Sequence, residues 1–532
     1  MNNPKLTGSF YTPTLIADFL VDHIAKRINV DYLEILEPSA GDGVFIQSIY
    51  DHELLSTKIK NVVAVEREEK ELDKVKGITK SPSLGTLHLD FLEYQKDNAR
   101  KFDLVIGNPP YIKKKLLSAE QIALCEDIHI IYPDLSKKKI NNIWSAFLVR
   151  CINFLKEDGI LAFVLPSELL QVKFAAELRA LILKEFEHVE IFTFNELLFK
   201  DCKGQDTILL VGERKSEKKG IYYSNIKNID NLEKKEFKLK RNIKIKESKW
   251  THHHLNSGEI RLLEMLKNKL QTVNYYCISK PGIVTAANNF FIVNSATLKK
   301  YSLQRFVKPI IQKGSFVNGS VILTKDDFNE LKEQLKPTFL LDLNNRTKLS
   351  ANEKLNEYLN QGVELKIHER YKTSLRKRWY EIPNISTPPQ AFFFKRCNEY
   401  PKIIKNDADV LATDSAYKIQ MYDDYKIENF IYSFYNSLTL SFAELYGRYY
   451  GGGVLELTPN EFKILPVPYI DVNNKDFNSF VVNFKNKSSI KEICKNNDQR
   501  ILKSIDNSLD DKSINKIFEI REKLYLHRIK TN

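Results

Sequence analysis

YLEILEPSAGDG, residues 32–43, decides the architecture: an apolar, β-rich run stops at Glu37 and passes through Pro38, Ser39 and Ala40 into a turn with Gly41 and Gly43. A strand, a glycine turn and a helix in that order open a parallel α/β unit, whose ligands bind beyond the carboxyl ends of the strands. Gly41 and Gly43 remove the side chains that would hold a ligand off the backbone, and the next helix offers free N–H groups. Glu37 and Asp42 add acceptors. Carboxylates here suit a cationic ligand better than a pyrophosphate, and no G-x-G-x-x-G is present, so a nicotinamide cofactor is disfavoured. A purely structural glycine turn is the alternative reading of this segment.

Outward from it, β-rich runs alternate with amphipathic segments between residues 33 and 213, the pattern of a parallel sheet with crossover helices. Strands are expected at YLEIL, NVVAVE, TLHLD, FDLVIGN, ILAFVLP, VEIFTF and TILLVG, with helices at 14–28, 142–156 and 168–186. Thr12 is placed to cap the first helix and Pro13 to occupy its first position. The charged run ERKSEKKG, 213–220, reads as the linker that closes this domain.

Glu66 ends the second strand, where an acidic side chain can accept hydrogen bonds from two ribose hydroxyls. Asp90 and Phe91 follow the third and offer an acceptor for an adenine amino group and an aromatic face for its ring. The fourth strand runs into Asn108, Pro109, Pro110 and Tyr111 in FDLVIGNPPYI, 102–112. The prolines fix φ and lack N–H groups, which makes the turn stiff and rich in acceptors. An exocyclic amino group on a base is a poor nucleophile because its lone pair is delocalised into the ring. Acceptance of its two hydrogens by the Asn108 side chain and the Pro109 carbonyl lets the nitrogen pyramidalise towards a sulfonium methyl. Tyr111 is expected to stack on the base. A structural Asn-Pro-Pro turn is the competing reading.

With these residues in this order, the chain resembles the gamma class of N6-adenine DNA methyltransferases, similar to the TaqI enzyme and to modification enzymes of type II restriction systems. The resemblance implies S-adenosylmethionine as cofactor and a Rossmann-like methyltransferase domain with a mixed seven-stranded α/β sheet, followed by an α+β target-recognition domain. GSFYTP, 8–13, looks like the family's cofactor-carboxylate segment and places Tyr11 and Thr12 near the methionine moiety. Glu37, Pro38, Ala40, Gly41, Asp42, Gly43, Glu66, Asp90, Phe91 and Asn108 complete the implied cofactor set. Phe199, in FNELLFKDCKGQDTILLV, is the implied aromatic on the other face of the extruded base; a buried core Phe is the alternative. Extrusion follows because a methyl donor held in a deep pocket cannot reach a paired amino group.

The expected division is 1–220 catalytic, 221–470 recognition and 471–532 a helical segment packing on the recognition domain. PGIVTAANNFFIV, FKRC, ATDSAYKI and GRYYGGGVLELTPNEFKILPVP resemble the family's recognition domains. Asn288 and Asn289 can bond adenine edges, and Lys395 and Arg396 can meet phosphate or guanine. Lys113, Lys114, Lys115, Lys137, Lys138 and Lys139 flank the segment after the catalytic turn and are candidates for the DNA backbone; a solvated loop is the alternative.

Composition agrees with an enzyme on a polyanion: 532 residues carry 81 Lys and Arg against 68 Asp and Glu, a net +13. Six scattered cysteines without a C-x-x-C pair argue against a disulfide framework or a zinc site. His252, His253 and His254 lack a further ligand at metal-like spacing and read as surface residues, so no metal is expected. With no apolar run of ~18 residues, no membrane span is expected. The expected setting is a prokaryotic cytoplasm, at the nucleoid, where the chain acts as a monomer on double-stranded DNA, either beside a separately encoded restriction endonuclease or as an orphan methylase. Two rivals remain: a protein glutamine N-methyltransferase, in which an amide poses the same lone-pair problem, and a non-catalytic DNA-binding subunit.

Overall fold

A computed structural model describes residues 11–94, 100–195, 198, 206–242, 249–317, 319–344, 352–450 and 453–529. The chain forms two compact units, 1–257 with 450–453 and 529–532, and 258–449 with 454–528.

The first unit is built on a nine-stranded sheet: β1 (Leu33–Glu37), β2 (Ile59–Glu66), β3 (Leu84–His88), β4 (Phe102–Gly107), β5 (Leu155–Pro166), β6 (His188–Phe194), β7 (Thr207–Glu213), β8 (Gly220–Ile226) and β9 (Lys240–Asn242). Their spatial order is β3-β2-β1-β4-β5-β7-β6-β8-β9. β7 runs antiparallel to both neighbours, β5 and β6, and the strands from β3 to β5 are parallel. The seven expected strands are therefore all present as a mixed α/β sheet, and the chain reverses its direction of progress across the sheet between β1 and β4. That reversal opens a crevice at the carboxyl ends of the strands.

Side chains two apart in a strand share a face. Leu104 and Ile106 accordingly pack with the helix Thr14–Ala25 and with Phe45 and Ile49 on one side, while Val105 packs with Phe147, Val149 and Phe154 of the helix Trp144–Phe154 on the other. Both faces are covered, which is why these strands read as unbroken apolar runs.

Two expectations are corrected here. The sheet does not end at residue 220: the charged run joins β7 to β8, which pairs in parallel with β6, and β9 pairs with β8. Its charge is absorbed by local pairs such as Lys219 with Glu187 and Arg214 with Glu185, so it is a tethered connection and not a free linker. The helix at 14 is also not capped by Thr12: Pro13 occupies the N-cap position without a side-chain cap, because the Thr12 hydroxyl has another partner.

Away from the crevice, Glu190 in β6 is buried in a charged cluster, with His23 at 2.6 Å, Arg27 at 2.8 Å and His188 at 2.9 Å. The cluster fastens the first helix to the amino end of β6.

The second unit is α+β. Among the described residues its sheets have five strands (Cys277–Pro281, Ala416–Met421, Ala391–Phe394, Lys402–Asn406 and Ile322–Leu323), four, three and two. The final helices, Asn474–Lys485, Ile490–Ile505 and Asp511–Arg528, belong to this same unit. Arg528 pairs with Glu444 through two bonds of 2.7 and 2.8 Å, both side chains buried, and Asp498 accepts from the Ser437 N–H and hydroxyl at 2.8 and 2.6 Å.

Candidate active site

Gly41 and Gly43 both have positive φ, +54° and +85°, and a Cβ on Gly43 would lie 2.3 Å from Ile78 Cδ1. Only glycine fits that position, and it serves as the N-cap of the helix Val44–Asp51. The Gly41 N–H and the Glu68 N–H both donate to the Glu66 carboxylate at 2.8 Å. The glycine turn is thereby tied to the end of β2.

A cleft of about 700 Å³, open to solvent, lies at these strand ends. Of the residues expected to bind cofactor, Tyr11, Pro38, Gly41, Glu66, Asp90 and Phe91 line it, as do Asn108 and Pro110 of the expected catalytic turn. Thr12, Glu37, Ala40, Asp42, Gly43, Pro109 and Tyr111 do not line it.

Glu37 is wholly buried, and its Oε2 has no hydrogen-bond partner. Burial pushes its carboxyl well above the usual range, and the nearby Asp42 and Glu66 push it further. Burial also raises Asp42. Three carboxyls crowded around a glycine turn make a setting that gains from a cation and repels a pyrophosphate. The acidic turn thus fits a sulfonium or ammonium ligand, and the orphaned Glu37 Oε2 lies buried outside the cleft lining.

At the Asn-Pro-Pro-Tyr turn, the side chains of Thr12, Tyr111 and Ser39 hold Asn108. Its Nδ2 donates to Thr12 Oγ1 at 3.2 Å, its Oδ1 accepts from the Tyr111 hydroxyl at 2.8 Å, and its main-chain carbonyl accepts from Ser39 Oγ at 3.1 Å. The amide is thus placed with Nδ2 toward Thr12 and Oδ1 toward Tyr111. Gly107 lets the turn approach closely, since a Cβ there would stand 3.2 Å from Pro38 Cδ.

Tyr111 is not turned to the cleft. It is 8% exposed, and its hydroxyl also lies 3.2 Å from the Val164 carbonyl of β5. Phe91 borders the cleft but is itself packed, 4.9 Å from Phe147 between ring centroids. Asp90 is engaged by the Leu92 N–H at 3.0 Å and by Gln121 Nε2 at 3.2 Å.

Sequence reasoning missed Arg67, Glu68, Ile112 and Phe147 in the cleft wall and gave Ser39 no part in it. Gln121 was also missed, although SAEQ at 118–121 carries a legible sign: Ser118 and Gln121 form a reciprocal capping box.

Phe199 lies outside the described residues. Lys113, Lys115 and Lys137 are exposed, Lys114 pairs with Glu126 at 3.5 Å, Lys139 pairs with Glu177, and the Lys138 side chain is outside the described set. In the second unit Asn289 is exposed, Asn288 accepts from Thr285, and Lys395 is half-buried. Arg396 pairs with Glu456 at 3.0 Å. His252 is buried, which corrects its reading as a surface residue. Among the described residues no group of three His, Cys, Asp or Glu could hold a metal ion, and no helix is long and apolar enough to cross a membrane.

Comparison with known proteins matches residues 35–199 to the family described as Eco57I restriction-modification methylase, and 247–502 to that described as type II methyltransferase M.Eco57I, C-terminal domain. The type II methyltransferase M.AccI of Acinetobacter calcoaceticus is 24% identical over 96% of this chain and 94% of its own length. M.HincII of Haemophilus influenzae is 28% identical over 37% of this chain and 38% of its own length. Among solved structures, that of the DrdV–DNA complex superimposes with a TM-score of 0.54 at 13% identity, over 90% of this chain and 57% of the other. This chain thus spans little more than half of that larger protein, and the likeness is one of fold.

Proposed function

The chain belongs to the type II restriction-modification methyltransferases, and from that premise we propose that it methylates the N6 amino group of adenine in double-stranded DNA, with S-adenosylmethionine as donor. The observation that supports the adenine assignment is the Asn108 amide, held at its nitrogen by Thr12 and at its oxygen by Tyr111 in a turn bordering the cleft. The gamma-class order of segments, cofactor carboxylate first and catalytic turn later, supports the same reading.

When bound, S-adenosylmethionine supplies an electrophilic methyl on a sulfonium. Glu66 would meet the ribose hydroxyls with the lone pairs that the Gly41 and Glu68 N–H groups leave over, and the acidic side chain of Asp42 in the glycine turn would favour the cationic end. The flipped adenine displaces the Tyr111 hydroxyl from Asn108 Oδ1, and the freed ring stacks on the base. Asn108 Oδ1 and the Pro109 carbonyl then accept the two amino hydrogens, directing the nitrogen lone pair at the methyl carbon. With the cofactor bound, its methyl would pass from sulfur to that nitrogen, and one amino proton would then leave to water. A neutral amide suffices, because no base must act before transfer.

The same reading makes the second unit the target-recognition domain and gives the chain a monomeric role on DNA in a prokaryotic cytoplasm, with a separate endonuclease as counterpart. Sequencing that detects modified bases in DNA from cells expressing the chain tests it. N6-methyladenine in one sequence context is the expected result. Modified cytosine, or labelled methyl appearing in protein and not in DNA, overturns it.

A further inference from the structure

Residues 370–378 of the second unit read RYKTSLRKR, five cations in nine positions with no acid among them. The structure folds them into the one-turn helix Tyr371–Ser374 and its continuation through Leu375, which remains helical at φ −79° and ψ −5°. Tyr371 and Leu375, four positions apart, therefore share one face. They are 79% and 72% exposed, and Arg370, Lys372, Lys377 and Arg378 around them are exposed as well.

The segment is held from beneath and does not dangle. Thr373 is buried, and its hydroxyl donates to the carbonyls of Ile367 and Arg370. Arg376 donates to the Thr285 carbonyl at 2.8 Å and lies over the Phe291 ring at 5.5 Å, while Arg370 reaches the Ala286 carbonyl at 3.4 Å. These bonds dock the segment on the loop 284–287, in which Ala286 holds a φ of +68°. Exposed Asn289 follows directly. Two stretches far apart in sequence thus build one surface: a cationic rim, two protruding apolar side chains and an amide.

A large aromatic and an aliphatic side chain held in water side by side cost free energy unless a partner covers them, and the surrounding positive charge selects a polyanion with apolar faces. We propose that residues 370–378 are a DNA-contacting ridge, in which Lys372 and Lys377 meet phosphates and Tyr371 and Leu375 press against a groove floor or a base step. This rests on the reading of the chain as a DNA methyltransferase and assigns part of its DNA surface.

The test uses the full-length chain and a fluorescent mixed-sequence duplex of about 40 base pairs, with binding measured from 50 to 300 mM NaCl. Lys372→Ala with Lys377→Ala is expected to weaken binding about tenfold at physiological salt and to lower the salt slope by about 2, near 0.9 for each phosphate no longer neutralised. Tyr371→Ala with Leu375→Ala is expected to weaken binding at every salt concentration with the slope unchanged. Because all four side chains are exposed, both variants should keep the wild-type Tm and cofactor affinity. Unchanged affinity and slope, with DNA methylation intact, overturn the ridge alone. Loss of a self-associated form in the Tyr371/Leu375 variant, without a change on DNA, overturns it in favour of a second copy of the chain. A wild-type chain that binds no duplex overturns the ridge together with the reading beneath it.

Discussion

Thr12→Val replaces the hydroxyl that accepts from Asn108 Nδ2 at 3.2 Å with a methyl of nearly the same shape. Thr12 is 7% exposed, so water cannot easily take the place of the lost oxygen. Removing a buried hydrogen-bond partner costs about 1–3 kcal/mol. Part of that preference keeps Nδ2 facing Thr12 and Oδ1 facing the Tyr111 hydroxyl, whose place the proposed mechanism gives to the reacting amino group. Without it, the amide turns over more readily and presents N–H groups where acceptors are needed. If the whole difference appears in the transition state, kcat falls by about 5- to 150-fold. The assay is steady-state methylation of plasmid DNA, with cofactor affinity measured separately by calorimetry. Thr12→Ser, which keeps the oxygen, should restore most of the rate. Turnover of Thr12→Val within twofold of wild type would refute the positioning argument. So would a loss wholly accounted for by weaker cofactor binding, which would assign Thr12 to the cofactor alone.

Asn108→Ala should abolish methyl transfer while cofactor affinity stays within about tenfold, ~1.4 kcal/mol, of wild type; a larger loss of affinity would give the residue a different task. Gly43→Ala forces a side chain onto a φ of +85° and into Ile78, so it should destabilise the first unit by about 1–3 kcal/mol and weaken cofactor binding. Thermal unfolding and a cofactor titration both at wild-type values would contradict it. Burial pushes the Glu190 carboxyl up, but hydrogen bonds from His188 and His23 and the charge of Arg27 more than reverse this and hold it far below the carboxylate range. A depressed folded value means stability that is fully present above the unfolded pKa of about 4.3 and is lost as pH falls below it. Glu190→Gln should therefore lower stability at pH 7 and flatten the acid limb of a stability–pH curve; an acid limb as steep as wild type would count against the cluster. Asp498 runs the other way: burial pushes it up to about 6, so its contribution declines as pH rises from about 4 towards 6. Asp498→Asn should remove that decline, measured by denaturant unfolding of the full chain across the same interval.

The seven strands of the first unit and the ligand-facing turns were legible because both faces of the sheet are covered, so each strand appears as a continuous apolar run that ends at a chemically informative residue. β8 and β9 were not legible. β9 is three polar or charged residues, Lys240–Asn242, whose place in the sheet comes from pairing with β8 and not from hydrophobicity. At the site, residue types and spacing gave the amide, the prolines and the acidic strand ends. They could not give Thr12 and Ser39 as the partners of Asn108, because contacts across 96 and 69 positions arise only when the fold closes. Tyr111 is a different case: its expected stacking describes the base-bound state, and here its hydroxyl serves Asn108 instead. In the second unit many strands are two residues long, too short for any periodicity to register. The cationic run 370–378 was visible in composition, but its two protruding side chains were not, since exposure follows from Thr373 and Arg376 fastening the underside.

The short β9 also finishes one margin of the nine-stranded sheet. An unpaired strand edge is a template on which a neighbouring molecule can lay its own backbone, and long apolar margins invite such growth. Among the described residues the last rung holds Lys240, Arg241 and Asn242, whose charge gives a guest strand little apolar surface on which to settle.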